Sequence, residues 1–387
     1  MAYPRFAALI DPLVRALVPL SLAALLNGCS GLDYYGQLAR GQFDLLRARQ
    51  PVAEVLATLP AQSPERRRLA LSQQARTFAS QALALPDNRS YRLYADIHRP
   101  YVVWNLFATE EFSLAPRLHC FPIAGCVAYR GYYQQGRARG AAALLREEGL
   151  ETYIGPVQAY STLGWFDDPI LSPMLGWDDD RLVSTLFHEL AHQRVYQPDD
   201  TPFNESFARF VEQQGLRQWR RSRGLADVDP RLADQEARFT ELVLACRARL
   251  EALYARDLPA PAMRAAKQAE FEHLRRDYRA LRDAHGWRQP GYDAWIEAPL
   301  NNAKLLPFGL YDQWVPAFAA LFRQVNGDWP RFYARVEALA GLPQETRWRA
   351  LGELAGPPAN SAPAAPVEAP GSGPTRAAPS PSTRNRS

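Results

Sequence analysis

The segment FHELAHQRVYQPDDTPFNESFARFVEQQG, residues 187–215, constrains the fold more than any other part of the chain. Apolar positions recur at three- and four-residue steps on both sides of QPDDTP, and this spacing predicts helices over 180–196 and 203–221. Pro198 disfavours helical backbone at the residue before it, so the first helix has to end there. The segment therefore predicts two helices joined by a short turn.

The spacing of two histidines favours a metal site on the first helix. His188 and His192 lie four residues apart, so a helix projects both from one face, with Glu189 beside them. This is the HExxH pattern of zinc peptidases. The alternative is a polar helix face, and the pattern alone does not decide, because a catalytic zinc needs a third protein ligand and an open position for water.

The third ligand has to be a His, Asp or Glu that is close in space. The metzincin pattern requires Gly at position 195 and His at position 198, but the chain has Val195 and Pro198, which excludes that class. Glu205 comes early on the second helix, where a helix–turn–helix returns the chain to the histidine face. We therefore expect His188, His192 and Glu205 to hold one zinc ion.

The rest of the chain is mostly helical by the same criterion. Two of the predicted helices, separated only by DLPAPA, indicate a long antiparallel helical hairpin over 230–285. The segments with helical spacing are 32–49, 64–85, 136–149, 180–196, 203–221, 230–256, 262–285 and 311–325.

Three segments break the helical pattern. They are aromatic and β-branched and are bounded by Gly and Pro, which predicts strands just upstream of the histidine helix. The predicted fold class is α+β and predominantly helical, with a zincin-like core, a small antiparallel or mixed sheet next to the histidine helix, and the helical hairpin. The predicted strands lie within 100–114, 125–133 and 151–165.

The two ends of the chain differ from its body. Residues 1–28 place arginines before an apolar run too short to span a bilayer, which predicts an export signal. The signal ends in LLNGC, which resembles a bacterial lipobox with Cys29 as the lipidated residue; the alternative is a plain signal peptide with an incidental cysteine. Residues 357–387 are rich in Pro, Ala and Ser and predict a disordered tail. The peptidase-like domain is then 29–356.

A lipobox also predicts location and partners. Lipid on Cys29 would anchor the protein to a membrane without spanning it, and Ser30 is typical of delivery to the outer membrane, facing the periplasm. The formal net charge is +4, of which only +1 belongs to residues 29–356, so there is no electrostatic case for nucleic acid.

An oxidising compartment allows Cys120 and Cys126 to form a disulfide; two separate buried thiols are the alternative. The oligomeric state is left open.

The second helix carries a further motif. NESFARFVE resembles the Asn-Glu-x-Phe-Ala segment of the gluzincin aminopeptidases, in which the glutamate completes the zinc site, although the gap to HExxH is shorter here. The lipobox and the segments WNLFATEEFSL, AYRGYY, AYSTLGWFDDPILSPML and NNAKLLPFGLY are similar to those of a bacterial family of lipoproteins described as predicted zinc-dependent aminopeptidases. This resemblance covers most of residues 29–330.

The resemblance implies peptide hydrolysis. A zinc-activated water would attack the peptide carbonyl while Glu189 takes its proton and delivers it to the leaving amine. Tyr311 is a candidate for stabilising the oxyanion, with a purely structural tyrosine as the alternative. Asp199 or Asp200 could orient the histidine rings.

The substrate is expected to lie along an edge strand, VQAYSTLGW, residues 157–165. Asp167 and Asp168 follow it and could hold the protonated α-amino group of a peptide; an ordinary turn is the alternative. An aminopeptidase is therefore favoured over an endopeptidase. The other classes left open are a cell-envelope amide hydrolase and a non-catalytic lipoprotein that serves as a binding module.

Overall fold

Helices make up most of the described chain. The structure is a computed structural model that describes residues 33–121, 125–159, 161–308 and 313–356. The predicted export signal with Cys29, the predicted tail and Tyr311 lie outside these residues. The prediction of a predominantly helical α+β fold is confirmed.

Each of the eight predicted helical segments corresponds to a helix, and shorter helices lie between and after them. Among the described helices, none combines the length and the apolar character that a bilayer-spanning segment needs. The helices are α1 (33–47), α2 (Val52–Thr58), α3 (Pro64–Ala82), α4 (Gln135–Glu147), α5 (Asp179–Arg194), α6 (Thr201–Ser222), α7 (Pro230–Tyr254), α8 (Ala260–His285), α9 (Pro290–Glu297), α10 (Asn302–Leu305), α11 (Val315–Gln324), α12 (Trp329–Ala340) and α13 (Gln344–Ala355).

The strands form three small sheets in the described residues. The central sheet is antiparallel with the order β6-β3-β7, a second sheet has the order β1-β2-β8, and β4 pairs with β5 as a hairpin. The strands are β1 (Arg49–Pro51), β2 (Leu93–Ala95), β3 (Val103–Thr109), β4 (His119–Phe121), β5 (Gly125–Val127), β6 (Tyr129–Tyr132), β7 (Glu151–Val157) and β8 (Ile170–Leu171).

The strand predictions need two corrections. The segment 125–133 contains two strands, β5 and β6, which belong to different sheets. The segment 157–165 is not a strand, because β7 ends at Val157 and a loop follows. The backbone of this loop turns through Leu163 and Gly164, whose φ angles are 57° and 81° and are incompatible with an extended strand.

The two faces of the central sheet have different neighbours. One face carries Trp104, Leu106 and Tyr132, which pack with Ala138 and Ala142 of α4. Because side chains alternate along a strand, the other face presents the intervening residues of β3, β6 and β7. That second face lines a cavity together with α5, so the sheet supplies one wall of a cleft and the histidine helix supplies another.

A large apolar core holds α5 and α6 in place. Phe187 of α5 and Phe207 of α6 are fully buried in it, together with residues of α3, α11 and α12. Gly215 allows α6 to approach closely, since a Cβ at this position would lie only 2.8 Å from Leu83 Cδ1 and from Phe187 Cδ2. The core therefore fixes the face of α6 that looks toward α5.

The predicted helical hairpin is formed by α7 and α8. It has a second apolar core of its own, in which Phe239 of α7 and Phe271 of α8 are buried. Lys267 joins the hairpin to the central sheet, because its ammonium group is buried and pairs with Glu151 of β7. The hairpin is thus docked on the same sheet that lines the cavity.

Candidate metal centre

Helix α5 presents the HExxH residues at the surface of the cavity. It begins where the Asp178 side chain accepts a hydrogen bond from Arg181 N at 2.9 Å. Its opposite side is apolar, with Leu182, Leu186 and Leu190 fully buried in the core. Since the apolar side is held in the core, the polar side faces the cavity.

The turn between α5 and α6 is fixed by Asn204. Its side chain accepts from Gln197 N and donates to Gln197 O, both at 2.7 Å, so the amide clamps the chain that leaves α5. Asp200 then starts α6 by accepting from Phe203 N at 3.2 Å. Because Asn204 immediately precedes Glu205, the clamp also fixes where Glu205 projects.

His188, His192 and Glu205 are brought together. The two Nε2 atoms of His188 and His192 lie 3.2 Å apart, and Glu205 Oε2 lies 3.4 Å from His188 Nε2 and 3.7 Å from His192 Nε2. Ligand atoms about 2.0–2.2 Å from a tetrahedral zinc ion are roughly 3.3–3.5 Å from one another. The three side chains therefore match the ligand spacing of a zinc site.

Glu212 orients the ring of His188 through the Nδ1 atom. His188 Nδ1 donates to Glu212 Oε2 at 3.1 Å, and Arg209 donates to Glu212 Oε1 at 2.9 Å. Arg209 also pairs with Glu236 of α7. Because Glu212 keeps a proton on Nδ1, a metal ion would displace the proton of Nε2, whose lone pair would then face His192 and Glu205, as a metal ligand requires.

The charges around the histidines favour a cation. Burial by itself lowers the pKa of His188, but hydrogen bonds and charges from Glu205 and Glu212 outweigh it and raise the pKa to about 10. Burial raises the pKa of Glu205, yet the charge of His192 and the hydrogen bond from His188 dominate and lower it. The pKa of Glu212 is likewise lowered to about 2, against burial, by His188 and Arg209. Both carboxylates therefore stay ionised in a buried site that requires positive charge.

Glu189 is placed for proton transfer. Its carboxylate lines the cavity beside the histidines, on the same stretch of α5. Burial raises the pKa of Glu189, an effect that His188 and His192 partly offset. A carboxylate with a raised pKa is a better proton acceptor at neutral pH than an ordinary glutamate.

The cavity in front of this cluster has a volume of about 500 Å³. The β4–β5 hairpin forms part of its wall through Phe121 and Val127, and a disulfide joins Cys120 to Cys126 in that hairpin. Cys126 N donates to Asp199 Oδ1 at 2.5 Å, which ties the hairpin to the turn between α5 and α6. The disulfide thus lies in a wall of the site.

The structure does not offer Asp168 to a substrate. Its side chain is 3% exposed, and its carboxylate accepts from Thr162 N at 2.9 Å and from Thr162 Oγ1 at 2.7 Å. Asp167 is half-buried, and its Oδ2 atom lies 3.4 Å from Arg89 Nε. Neither aspartate is among the residues that line the cavity. Asp168 holds the loop after β7 and Asp167 pairs with Arg89, so the assignment of the two to the α-amino group of a peptide is corrected.

The prediction that Asp199 or Asp200 orients a histidine ring is also corrected. Asp199 binds the β4–β5 hairpin, and Asp200 forms a buried ion pair with Arg347 of α13, with an Nε–Oδ2 distance of 2.8 Å. Glu212 fills the orienting role instead. Glu212 was missed, although its position seven residues after Glu205 places both on one face of α6 and would have indicated it.

Sequence reasoning also missed several polar residues that line the cavity, among them Asn105, Tyr129 and Tyr196. The ring of Tyr196 lies 6.5 Å from that of His192, measured between centroids. Burial raises the pKa of both tyrosines, so each phenol is a protonated hydrogen-bond donor. No local sequence pattern indicates these residues, because strand pairing and the turn after α5 bring them to the site.

A family model described as "Putative aminopeptidase" matches residues 33–351. The chain belongs to this family. The match includes α5, α6, the central sheet and the helical hairpin, and so contains every described part of the cavity. Neither a curated protein nor a solved structure matches the chain.

Proposed function

We propose that this member of the family is a zinc-dependent peptidase in which His188, His192 and Glu205 hold one zinc ion. The observation that carries the proposal is the convergence of their three ligand atoms within 3.2–3.7 Å, on side chains that the protein itself orients. Bound zinc would supply a Lewis acid that polarises a peptide carbonyl and acidifies water. The same geometry serves any divalent ion that prefers these ligands, so the choice of zinc rests on the donor set.

Glu189 acts as general base and then as general acid in this proposal. It lies in the cavity next to the metal ligands and accepts the proton of the attacking water. It then delivers that proton to the nitrogen of the leaving amine. Burial raises the pKa of its carboxyl group above the ordinary glutamate value, which makes it a better proton acceptor in the first step.

Stabilisation of the oxyanion needs a hydrogen-bond donor aimed at the carbonyl oxygen. Tyr129 and Tyr196 line the cavity and carry protonated phenols. They join Tyr311, the sequence-based candidate, which lies outside the described residues. Replacing each tyrosine by Phe and measuring kcat separates the three, since only the oxyanion donor should lower kcat with KM unchanged.

Peptide hydrolysis is tested with the purified full chain and a mixed peptide library. We expect cleavage products by mass spectrometry, loss of cleavage on adding a chelator, and recovery when zinc is restored. Cleavage that persists in excess chelator would contradict a metal-dependent mechanism. Cleavage of amide-linked envelope material in place of peptides would show a hydrolase of another substrate class.

Cleavage from the amino terminus is proposed on family membership, because Asp167 and Asp168 do not line the cavity. The test uses one peptide in free and N-acetylated forms. An aminopeptidase loses nearly all activity on acetylation, since the free α-amino group is part of what it binds. Equal cleavage of both forms would make the protein an endopeptidase.

We also propose that Cys29 carries the lipid that anchors the protein in the bacterial cell envelope, at the outer membrane facing the periplasm. The proposal rests on the LLNGC sequence at the end of the export signal. Cell fractionation should find the wild-type protein with membranes and Cys29→Ser in the soluble fraction. Membrane association of Cys29→Ser would point to a different anchor.

A further inference from the structure

The wall of the cavity away from the metal ligands is mainly apolar. It is formed by side chains from α1, the central sheet, the β4–β5 hairpin and the loop after β7. Among the described lining residues, the only titratable groups other than tyrosines are His188, Glu189, His192 and Glu205 at the metal end. The apolar lining side chains are Leu38, Val103, Phe121, Val127, Val157, Ala159 and Leu163.

Gly131 leaves space at the floor of the cavity. Asn105 of β3 pairs with Gly131 of β6 on one side and with Gly155 of β7 on the other, so the three residues form one row across the sheet. Directly paired residues point to the same face, which here is the face toward the cavity. A methyl group at Gly131 would lie 3.2 Å from Val103 Cγ1. A larger side chain at Gly131 would therefore project into the space that the glycine leaves free.

Leu163 is held in the cavity by a conformation that leucine rarely adopts. Its φ angle is 57°, in the left-handed region where side chains other than Asn, Asp and Gly are unfavourable. The loop compensates with hydrogen bonds on either side of it: Leu163 N donates to Ser161 Oγ at 3.1 Å, and Asp168 holds Thr162. The strained backbone is thus held by the surrounding loop, and it places an apolar side chain in the cavity.

Asn105 is the polar group in the middle of this floor. Within the described residues its amide makes no hydrogen bond, while its Oδ1 would lie 3.6 Å from a methyl group at Gly131. An amide offers both a donor and an acceptor. It can therefore bind the main chain of a peptide whose side chain occupies the space beside it.

We propose that this cavity selects peptides with a large apolar side chain, aromatic or branched aliphatic, on a residue next to the cleaved bond. The proposal rests on the proposed peptidase function and names its substrate class. The cavity volume of about 500 Å³ lies in the range of about 300–1,000 Å³ that is usual for ligand sites. Burial of such a side chain in place of alanine is expected to raise kcat/KM roughly 10- to 100-fold.

The test uses two peptides that differ only by Phe or Ala at the residue next to the cleaved bond. We expect wild-type protein to favour the Phe peptide roughly 10- to 100-fold in kcat/KM. Gly131→Val should lower kcat/KM for the Phe peptide more than for the Ala peptide and so remove most of this preference, because the new side chain fills the pocket. Gly140→Val is the matched control, since a side chain there meets nothing on the exposed surface of α4.

A second variant keeps the test decisive if Gly131→Val does not fold. Leu163→Asn suits the left-handed backbone and has a similar size, but it replaces apolar surface by an amide. It should raise KM for the Phe peptide more than for the Ala peptide and leave the zinc content unchanged. Equal rates for the two peptides in wild type, or an unchanged preference in both variants, would overturn the proposal.

A measurement of peptide binding distinguishes a failure of this inference from a failure of the proposed function. The Glu189→Gln chain is titrated with the same two peptides, each carrying a fluorescent label, and anisotropy gives their Kd values. Tighter binding of the Phe peptide supports the pocket even if wild-type protein cleaves neither peptide, in which case only the peptidase proposal fails. Equal Kd values, with cleavage intact, would contradict the pocket and leave the peptidase standing.

Discussion

The two sides of the cavity are assembled in different ways. On the helix side, His188, Glu189, His192 and Glu205 come from consecutive helices, α5 and α6, within one short part of the chain. On the sheet side, the lining residues come from α1, three strands, the β4–β5 hairpin and the loop after β7. The proposed metal ligands and general base are therefore placed by local helical periodicity, and the proposed substrate surface is placed by long-range pairing.

The supports of the two sides also differ. The helix side is braced by charged and buried groups: Asp200 with Arg347, and Glu212 with His188 and Arg209. The loop on the sheet side depends on Asp168, which has no ion-pair partner within 4.0 Å in the described residues and acts through hydrogen bonds to Ser161 and Thr162. Changes on the helix side should therefore affect kcat, metal binding or stability, whereas changes to the apolar lining and the loop on the sheet side should affect KM.

Glu189→Gln is expected to have the largest effect. The amide cannot accept the proton of water, so kcat should fall roughly 10²- to 10⁴-fold, as is usual for loss of a general base. Zinc content and the Kd of peptides should not change, because Glu189 is not one of the proposed ligands. Steady-state kinetics and elemental analysis measure both. Retention of kcat, or loss of zinc, would remove Glu189 from its assigned role.

Asp200→Ala tests the brace between α6 and α13. It leaves Arg347 buried without its partner, and breaking such a pair costs about 3–5 kcal/mol of unfolding free energy. Urea denaturation measures the difference. The control is the exposed neighbour Asp199→Asn, whose side chain can still accept from Cys126 N and should change the unfolding free energy by less than about 0.5 kcal/mol. Similar stability of both variants would mean that the ion pair does not hold α6.

Glu212→Ala removes the group that orients His188. Loss of such an orienting partner usually lowers metal affinity about 10- to 100-fold. Competition with a chelator of known zinc affinity measures the change, and Glu212→Gln serves as control because its amide oxygen can still accept from Nδ1. If Glu212→Ala binds zinc as tightly as wild type, His188 does not need this brace.

Asp168→Ala should have the smallest effect of these variants. It changes the sheet side of the cavity. Loss of its hydrogen bonds to Thr162 loosens the loop that holds Leu163, so KM for the Phe peptide should rise about fivefold, equivalent to about 1 kcal/mol. We expect kcat and zinc content to stay unchanged. Asp167→Ala, at the half-buried neighbour, is the control. A large fall in kcat for Asp168→Ala would erase the distinction between the two sides.

The helix side could be largely predicted from the sequence. His188 and His192 lie four residues apart, and residues at this spacing always share one face of a helix. Glu205 follows after a turn so short that α6 has to pack against α5. All of these positions depend on contacts close in the chain. The partner of each carboxylate could not be predicted. Asp200 pairs with Arg347, which is 147 residues away, and the segment QPDDTP contains no indication of this partner.

The sheet side could not be predicted in the same way. The aromatic and β-branched residues after Val157 favour a strand. In the structure, however, Asp168 accepts a hydrogen bond from Thr162, and the backbone turns at Leu163. Tertiary contacts therefore override the local preference. The row formed by Gly131, Asn105 and Gly155 exists only through strand register. No local pattern in the sequence indicates that register, and the pocket it opens was therefore not foreseen.

The zinc content of the purified full chain tests the central claim most directly. If His188, His192 and Glu205 form one metal centre, elemental analysis should find about one zinc ion per wild-type chain and almost none in His188→Ala. His273→Ala, at a histidine of the α8 hairpin helix, is the control and should keep the ion. Equal zinc content in His188→Ala and wild type would contradict the account.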